Sequence, residues 1–320
     1  SVISPFFFNI CIDDMLKAVT SEQDGLCLGN DTHSVFAYAD DVTLFSATIT
    51  GLQKSINICY DYSQQWRFRF NSQKSKCVIM GPVLFNTVPT FNLGLEKIEI
   101  SDCVNILGVQ FASGRSCLPH VENRIKQCRQ SFYGLGNVGL SYPGLHSDVK
   151  SHLWKTICSP VMMYGLDSIS VSNSGMKKLE STQGTLVKSY LGIGKRSHHS
   201  SLLKACYIPR IEDNVRSKTL SHFQRIFKVH SPLLGFYAHL LAEYMVHGHR
   251  GRGTIVDRIH DFGLSPIEVA FSNCRYTTSF DDFQREDGVV DTLRYLISHD
   301  NFIKPWAEEH ILTVLLTRCF

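Results

Sequence analysis

The sequence predicts an α+β fold: an antiparallel sheet with helices over residues 1–112, then a mostly helical remainder. Three observations predict it. Up to residue 112, β-rich runs alternate with amphipathic runs, as where "SVFAYADDVTLFS" precedes "LQKSINICYDYSQQW". From Pro119 onward, apolar residues recur at helical spacing. The 320 residues are 43% hydrophobic and 19% charged, which is enough for a buried core, and the length suits roughly two domains.

Taken in order, Ser4-Pro5 opens a helix over "PFFFNICIDDMLKAV", with Pro5 suited to a first turn. Residues 21–34, with Gly25, Gly29 and Asn30, read as a turn or short hairpin. Residues 34–46 read as a hairpin whose tip is Ala39-Asp40-Asp41. Leu52, Ile56, Cys59, Tyr60 and Trp66 fall near helical spacing. "FRFNSQKSKCVIMG" reads as a turn and then a strand, and "KIEISDCVNILGVQF" as strands around a tight bend. Val121, Ile125, Cys128 and Phe132 share one helical face, flanked by Glu122, Lys126 and Arg129. Further helices are expected at 145–165, 175–191, 212–229, 233–246 and 288–298. Breaks fall at Tyr142-Pro143-Gly144, Gly192-Ile193-Gly194 and Ile208-Pro209, and "HGHRGRG" reads as a loop. This divides the chain into blocks 1–112, 113–230 and 231–320.

The net charge of +3 conceals an uneven distribution. Block 1–112 carries 7 Lys/Arg against 11 Asp/Glu, block 113–230 carries 17 against 6, and block 231–320 carries 8 against 12. A basic block between two acidic ones attracts a polyanion such as nucleic acid, or is a solvated face with no partner. Eleven cysteines without a C-x-x-C pair argue against a disulfide framework and a zinc knuckle. Reduced thiols in an intracellular protein are the expectation. No run of 18 apolar residues and no signal segment occurs, so no membrane is expected as a partner. His247, His249 and His260 match no standard metal-site spacing.

Asp40 and Asp41 are adjacent acids in an otherwise apolar run. Like charges this close raise each other's proton affinity, so keeping both ionised calls for a cation. Oxygen ligands at a turn suit Mg²⁺, which keeps its remaining positions for water and phosphate oxygens. The physical reading is a metal platform for nucleotidyl or phosphoryl transfer. A polar hairpin tip facing water is the competing reading.

"YADD" in an apolar hairpin resembles the active-site box of reverse transcriptases, in the form shared by non-LTR (LINE-type) retrotransposons and group II intron maturases. "SVISPFFFNICIDDML" resembles the preceding motif of that family, and "WRFRFNSQKSKCVIMG" the following one, with Asn71 and Lys74 three residues apart. "VNILGVQF" resembles the primer-grip hairpin. "SPVMMYGLDSISVSNSGMKKLESTQGTLVKSYLGI" resembles the helical region after the LINE polymerase core and favours LINE over maturase. The resemblance covers roughly residues 1–230.

The resemblance implies part of a right-hand polymerase palm, then a helical thumb, then a region of open role. It implies that Asp40 and Asp41 bind catalytic Mg²⁺, and that Tyr38 and Ala39 lie against the primer end and the incoming nucleotide. Lys74 would neutralise or protonate the pyrophosphate leaving group. A solvated lysine beside Lys76 is its competing reading. Leu107, Gly108 and Val109 would form the primer-grip turn, or else an ordinary strand bend. In the basic block, Arg124, Lys126 and Arg129 would hold phosphates of a template–primer duplex. The partners implied are an RNA template, a DNA primer and deoxynucleoside triphosphates, met in the nucleus if the element is active. The family's fingers, and an upstream Asp that completes its metal site, would lie before Ser1. Asp13 and Asp14, on a helix, do not replace that Asp. The 320 residues alone are therefore expected not to polymerise, and the incomplete sheet to expose an apolar edge. The alternative is a non-enzymatic RNA- or DNA-binding remnant with vestigial acids.

Overall fold

A computed structural model describes residues 4–28, 31–80, 88–113, 116–136, 139–140, 142, 144–228, 234–248, 254–271 and 311–317. It divides into two compact units, one of residues 1–116, 232–246 and 279–320, the other of 117–231 and 247–278. Block 231–320 is thus shared between them.

The first unit is α+β, with a mixed sheet. Helix α1 (Ser4–Ser21) leads to a small hairpin, β1 (Leu26–Leu28) with β2 (Asp31–His33). Then follow β3 (Val35–Tyr38), β4 (Asp41–Ser46), α2 (Ile49–Gln65), β5 (Lys76–Met80), β6 (Phe91–Leu93) and β7 (Glu96–Ile100). A second hairpin joins β8 (Cys103–Ile106) to β9 (Val109–Ala112). Helix α9 (Leu234–His247) and strand β10 (Ile311–Thr317) come from far along the chain. The main sheet has the order β3-β4-β10-β5-β7-β6, with only β5 and β7 parallel.

Helix α2 starts where the Thr48 hydroxyl accepts a hydrogen bond from the Gly51 N–H at 3.0 Å, a cap of the kind that sets a helix start. Its Leu52, Ile56 and Cys59 are buried against Val42 and Leu44 of β4, Cys77 and Ile79 of β5, and Ile12, Met15 and Val19 of α1. The helical spacing read from the sequence is therefore the core stripe of α2. Trp66 is instead the residue that ends the helix, and it is exposed. Burial pushes the Cys59 and Cys77 thiols up to about 12, so they behave as small apolar groups. Cys11, Cys103, Cys117, Cys128, Cys158 and Cys206 are free thiols as well.

One expectation is corrected here. The β4 edge is not left open, because β10 pairs along it. The described part of the last block holds three helices, α9 and two in the second unit, besides this strand. The helix expected at 288–298 lies outside the described residues.

The second unit is helical: α3 (Leu118–Gly136), α4 (Ser147–Leu153), α5 (Ser159–Met163), α6 (Asn173–Leu191), α7 (His199–Ala205), α8 (Ile211–Lys228), α10 (Ile255–Asp261) and α11 (Pro266–Phe271). The single helix expected at 145–165 carries a π turn, Trp154–Cys158, between α4 and α5. Pro160 supplies the reason. It has no N–H to bond back into an α-helical ladder, and the wider turn just before it absorbs the mismatch. Val121, Ile125, Cys128 and Phe132 face Trp154, Met162, Met163 and Leu166, with Leu179, Leu186, Val187 and Tyr190 of α6 closing the core. Helix α6 ends at Gly192, whose φ of 69° is the left-handed conformation usual at such ends. No described helix is long and apolar enough to cross a membrane.

Candidate active site

Strands β3 and β4 pair with Tyr38 opposite Asp41, so Ala39 and Asp40 form a two-residue turn. Ala39 has φ 51°, a left-handed conformation that tight hairpin turns demand and that strains a residue with a Cβ. Behind the turn, Val42 and Leu44 are buried, and the Phe36 and Phe45 rings meet edge-on at 5.3 Å. The apolar run thus anchors the hairpin while its tip presents two carboxylates. Tyr38, next to the tip, is 67% exposed.

Burial first, and the Asp40 charge second, hold the Asp41 carboxyl above its ordinary pKa of 3.8. The ionised pair is therefore disfavoured unless a cation joins it. Asp41→Asn is expected to stabilise the first unit near neutral pH without divalent ions. The folded chain prefers the protonated carboxyl, so the contribution of Asp41 is favourable in acid and is lost as pH rises through the raised folded value. Thermal melts from about pH 3 to pH 8 should converge in acid and separate toward neutrality. Melting curves offset equally at every pH would contradict the assignment.

Asn71 and Lys74 belong to the turn before β5. The Lys74 N–H donates to Asn71 Oδ1 at 3.1 Å, and the Ser75 N–H and hydroxyl both donate to the Asn71 carbonyl. Asn71 therefore organises the turn that carries the exposed Lys74. Strand β5 begins at Lys76, level with Leu315 of β10, which is level with Thr43 of β4. Lys74 thus precedes β5 at the sheet end where Asp41 starts β4, two strands or about 10 Å across. Lys76 itself pairs with Glu99 at 3.5 Å.

Leu107 and Gly108, with φ 50° and 79°, form the two-residue turn between β8 and β9, where Ile106 pairs with Val109. Positive φ at both positions is the tight hairpin turn that follows strand twist. This hairpin lies outside the main sheet and packs through Val104 onto Val78 of β5.

Residues 1–111 match the family model of reverse transcriptase (RNA-dependent DNA polymerase). The matched segment holds the Asp40–Asp41 turn, Asn71, Lys74 and the Leu107–Val109 hairpin. No curated protein matches the chain.

The second unit lies beyond the reverse transcriptase match and carries a different feature. A groove of about 860 Å³ runs between α3 and α6, lined by Lys126, Arg129, Tyr133, Lys177 and Lys178 among others. Glu122, also in the lining, pairs with Lys178 at 2.7 Å. Lys126, Arg129 and Lys177 make no ion pair among the described residues. Tyr133 is 66% exposed at the groove.

Of the three cations singled out in the sequence, Lys126 and Arg129 come together here. Arg124 does not: it is 6% exposed, with its guanidinium 5.3 Å from the centre of the Tyr164 ring. One helical step decides this, because Arg124 shares the face of Val121 and Cys128 while Lys126 and Arg129 face outward. Sequence reading missed Lys177, Lys178 and Tyr133. The doublet Lys177-Lys178 on a helical segment was a visible signal, but which helix faces it was not. Among the described residues, no three His, Cys, Asp or Glu side chains gather as a metal site.

Proposed function

We propose that residues 1–112 supply part of the catalytic centre of a non-LTR (LINE-type) RNA-directed DNA polymerase. In this reading, Asp40 and Asp41 are two of its metal-binding acids. The observation that carries the reading is the turn itself, two carboxylates on a strained, apolar-anchored tip within a segment matching the reverse transcriptases. The donor set fits Mg²⁺: both groups are hard oxygen ligands, and the raised proton affinity of Asp41 is what a cation would relieve. When bound, Mg²⁺ supplies activation of the attacking oxygen and charge neutralisation on the departing phosphates. Tyr38 and Ala39 line the primer end, Lys74 meets the pyrophosphate, and Leu107, Gly108 and Val109 contact the primer strand. An RNA template, a DNA primer and deoxynucleoside triphosphates are the partners. The LINE assignment rests on the pattern over residues 159–193.

The test is Mn²⁺ binding followed by electron paramagnetic resonance, with Mg²⁺ as competitor. The wild-type chain should bind weakly, and Asp40→Asn or Asp41→Asn should remove the binding. Binding that survives both substitutions would sink the reading. With two carboxylates at the turn and, among the described residues, no third metal-ligating side chain gathered with them, the 320-residue chain is expected to give no template-dependent primer extension. Extension by this chain that disappears in Asp40→Asn would overturn that expectation.

The α3–α6 groove favours a second reading, in which the helical unit binds RNA or DNA without chemistry. Its cations would meet phosphates and Tyr133 a base.

A further inference from the structure

Strand β10 occupies an unusual place. It is the last described element of the chain, yet it lies in the interior of the main sheet. Residues Leu312–Thr317 pair with Ser46–Asp41 on one side, and Ile311–Leu315 with Met80–Lys76 on the other. Both ladders are antiparallel, and among the described strands β10 alone joins the hairpin of the acids to the β5-β7-β6 half.

The two flanking strands are built for an inserted neighbour. In β4, Val42, Thr43, Leu44 and Ser46 are all buried, so both of its faces are covered. In β5, Cys77, Val78 and Ile79 are buried in succession. Past their charged first residues, Asp41 and Lys76, the stretches Val42–Ser46 and Cys77–Met80 bear no charge or proline and pair with β10 without a bulge, so they lack the devices by which sheets protect an open edge. The inserted sequence "ILTVLLT" holds five apolar residues and two Thr, with four β-branched residues among the seven, a composition suited to a central strand. Its far end reaches the acids, with Thr317 in register with Asp41.

We propose that β4 and β5 form a strand-acceptor slot for Ile311–Thr317, and that filling this slot positions the Asp40–Asp41 turn. The slot is an interaction surface that fits an extended seven-residue apolar segment running antiparallel to both walls. The slot stands on the sheet alone, and only its effect on metal binding rests on the reading of the turn as a metal site.

The experiment uses the full chain with Val314→Pro, since Val314 pairs with both Leu44 and Cys77. Proline removes a ladder donor and is excluded from central strands. Amide exchange read by mass spectrometry should show protection over residues 42–46 and 76–80 falling by roughly 100-fold, with α3 and α6 unchanged. A synthetic "ILTVLLT" peptide flanked by lysines should restore that protection, and the same peptide with proline at the position of Val314 should not. Wild-type protection retained in Val314→Pro, or no recovery with the peptide, overturns the slot. A second variant needs no disrupted strand: Phe45→Cys with Thr313→Cys, opposed in register, should form an intrachain disulfide under mild oxidation, and its absence from peptide maps also overturns the slot. Mn²⁺ binding separates the two claims. Protection lost with Mn²⁺ binding unchanged overturns positioning of the turn. Absent Mn²⁺ binding in the wild type overturns the metal reading and with it the positioning claim, while the exchange data still decide the slot.

Discussion

Trp154→Ala is expected to destabilise the helical unit by about 3–5 kcal/mol, the range for deleting a buried large aromatic side chain. Trp154 is 1% exposed on the π turn and forms a triangle of rings with Phe132 on α3 and Tyr190 on α6, at 6.4 and 6.3 Å from them, while those two lie 6.5 Å apart. Its removal leaves a cavity where those two helices meet, and they are the walls of the basic groove. The indole Nε1 has no hydrogen-bond partner among the described residues, so Trp154→Phe keeps most of the packing and should lose much less. Urea unfolding with exchange read at α3 and α6 measures both variants. Equal stability of the alanine variant and the wild type would show that this core relaxes around the hole.

Reversing two groove cations should give the second large effect. The double variant Lys126→Glu with Arg129→Glu is expected to weaken binding of RNA or DNA by about 10–100-fold near physiological salt. It should also flatten the slope of log K against log salt by about 2, because two phosphate contacts are lost. Lys204→Glu, an exposed change on α7 away from the groove lining, controls for net charge and should act weakly. Fluorescence anisotropy across a salt series measures all three proteins. Should the control lose as much affinity as the double variant, binding would be diffuse and the groove would not be its site.

The charge pattern of block 113–230 was legible, but its count overstates what a polyanion can reach. Lys150 is buried and donates to the Tyr190 carbonyl at 3.0 Å, and Arg124 lies inside against Tyr164. Arg210 pairs with both Glu180 and Glu212. These cations hold the helices together. Lys126 and Arg129 share α3 with Arg124 but face water, and only helical phase separates them from it.

Local physics explains what the sequence determined by itself. The core faces of α2 and α3 follow from apolar spacing, because a helix repeats every 3.6 residues whatever it packs against. The Asp40–Asp41 hairpin and the Leu107–Gly108 turn follow from runs of strand-formers broken at short, defined points. Tertiary structure alone decided the rest. A seven-residue apolar strand from residues 311–317 carries no mark of its partner, since backbone pairing is the same for any extended segment. Nothing in its sequence says that it fills the sheet beside acids some 270 residues earlier. The pairing of α3 with α6, which gathers Lys126, Arg129, Lys177 and Lys178, has the same character. Spacing determines what each helix can bury, and only the packed core determines which helix it meets.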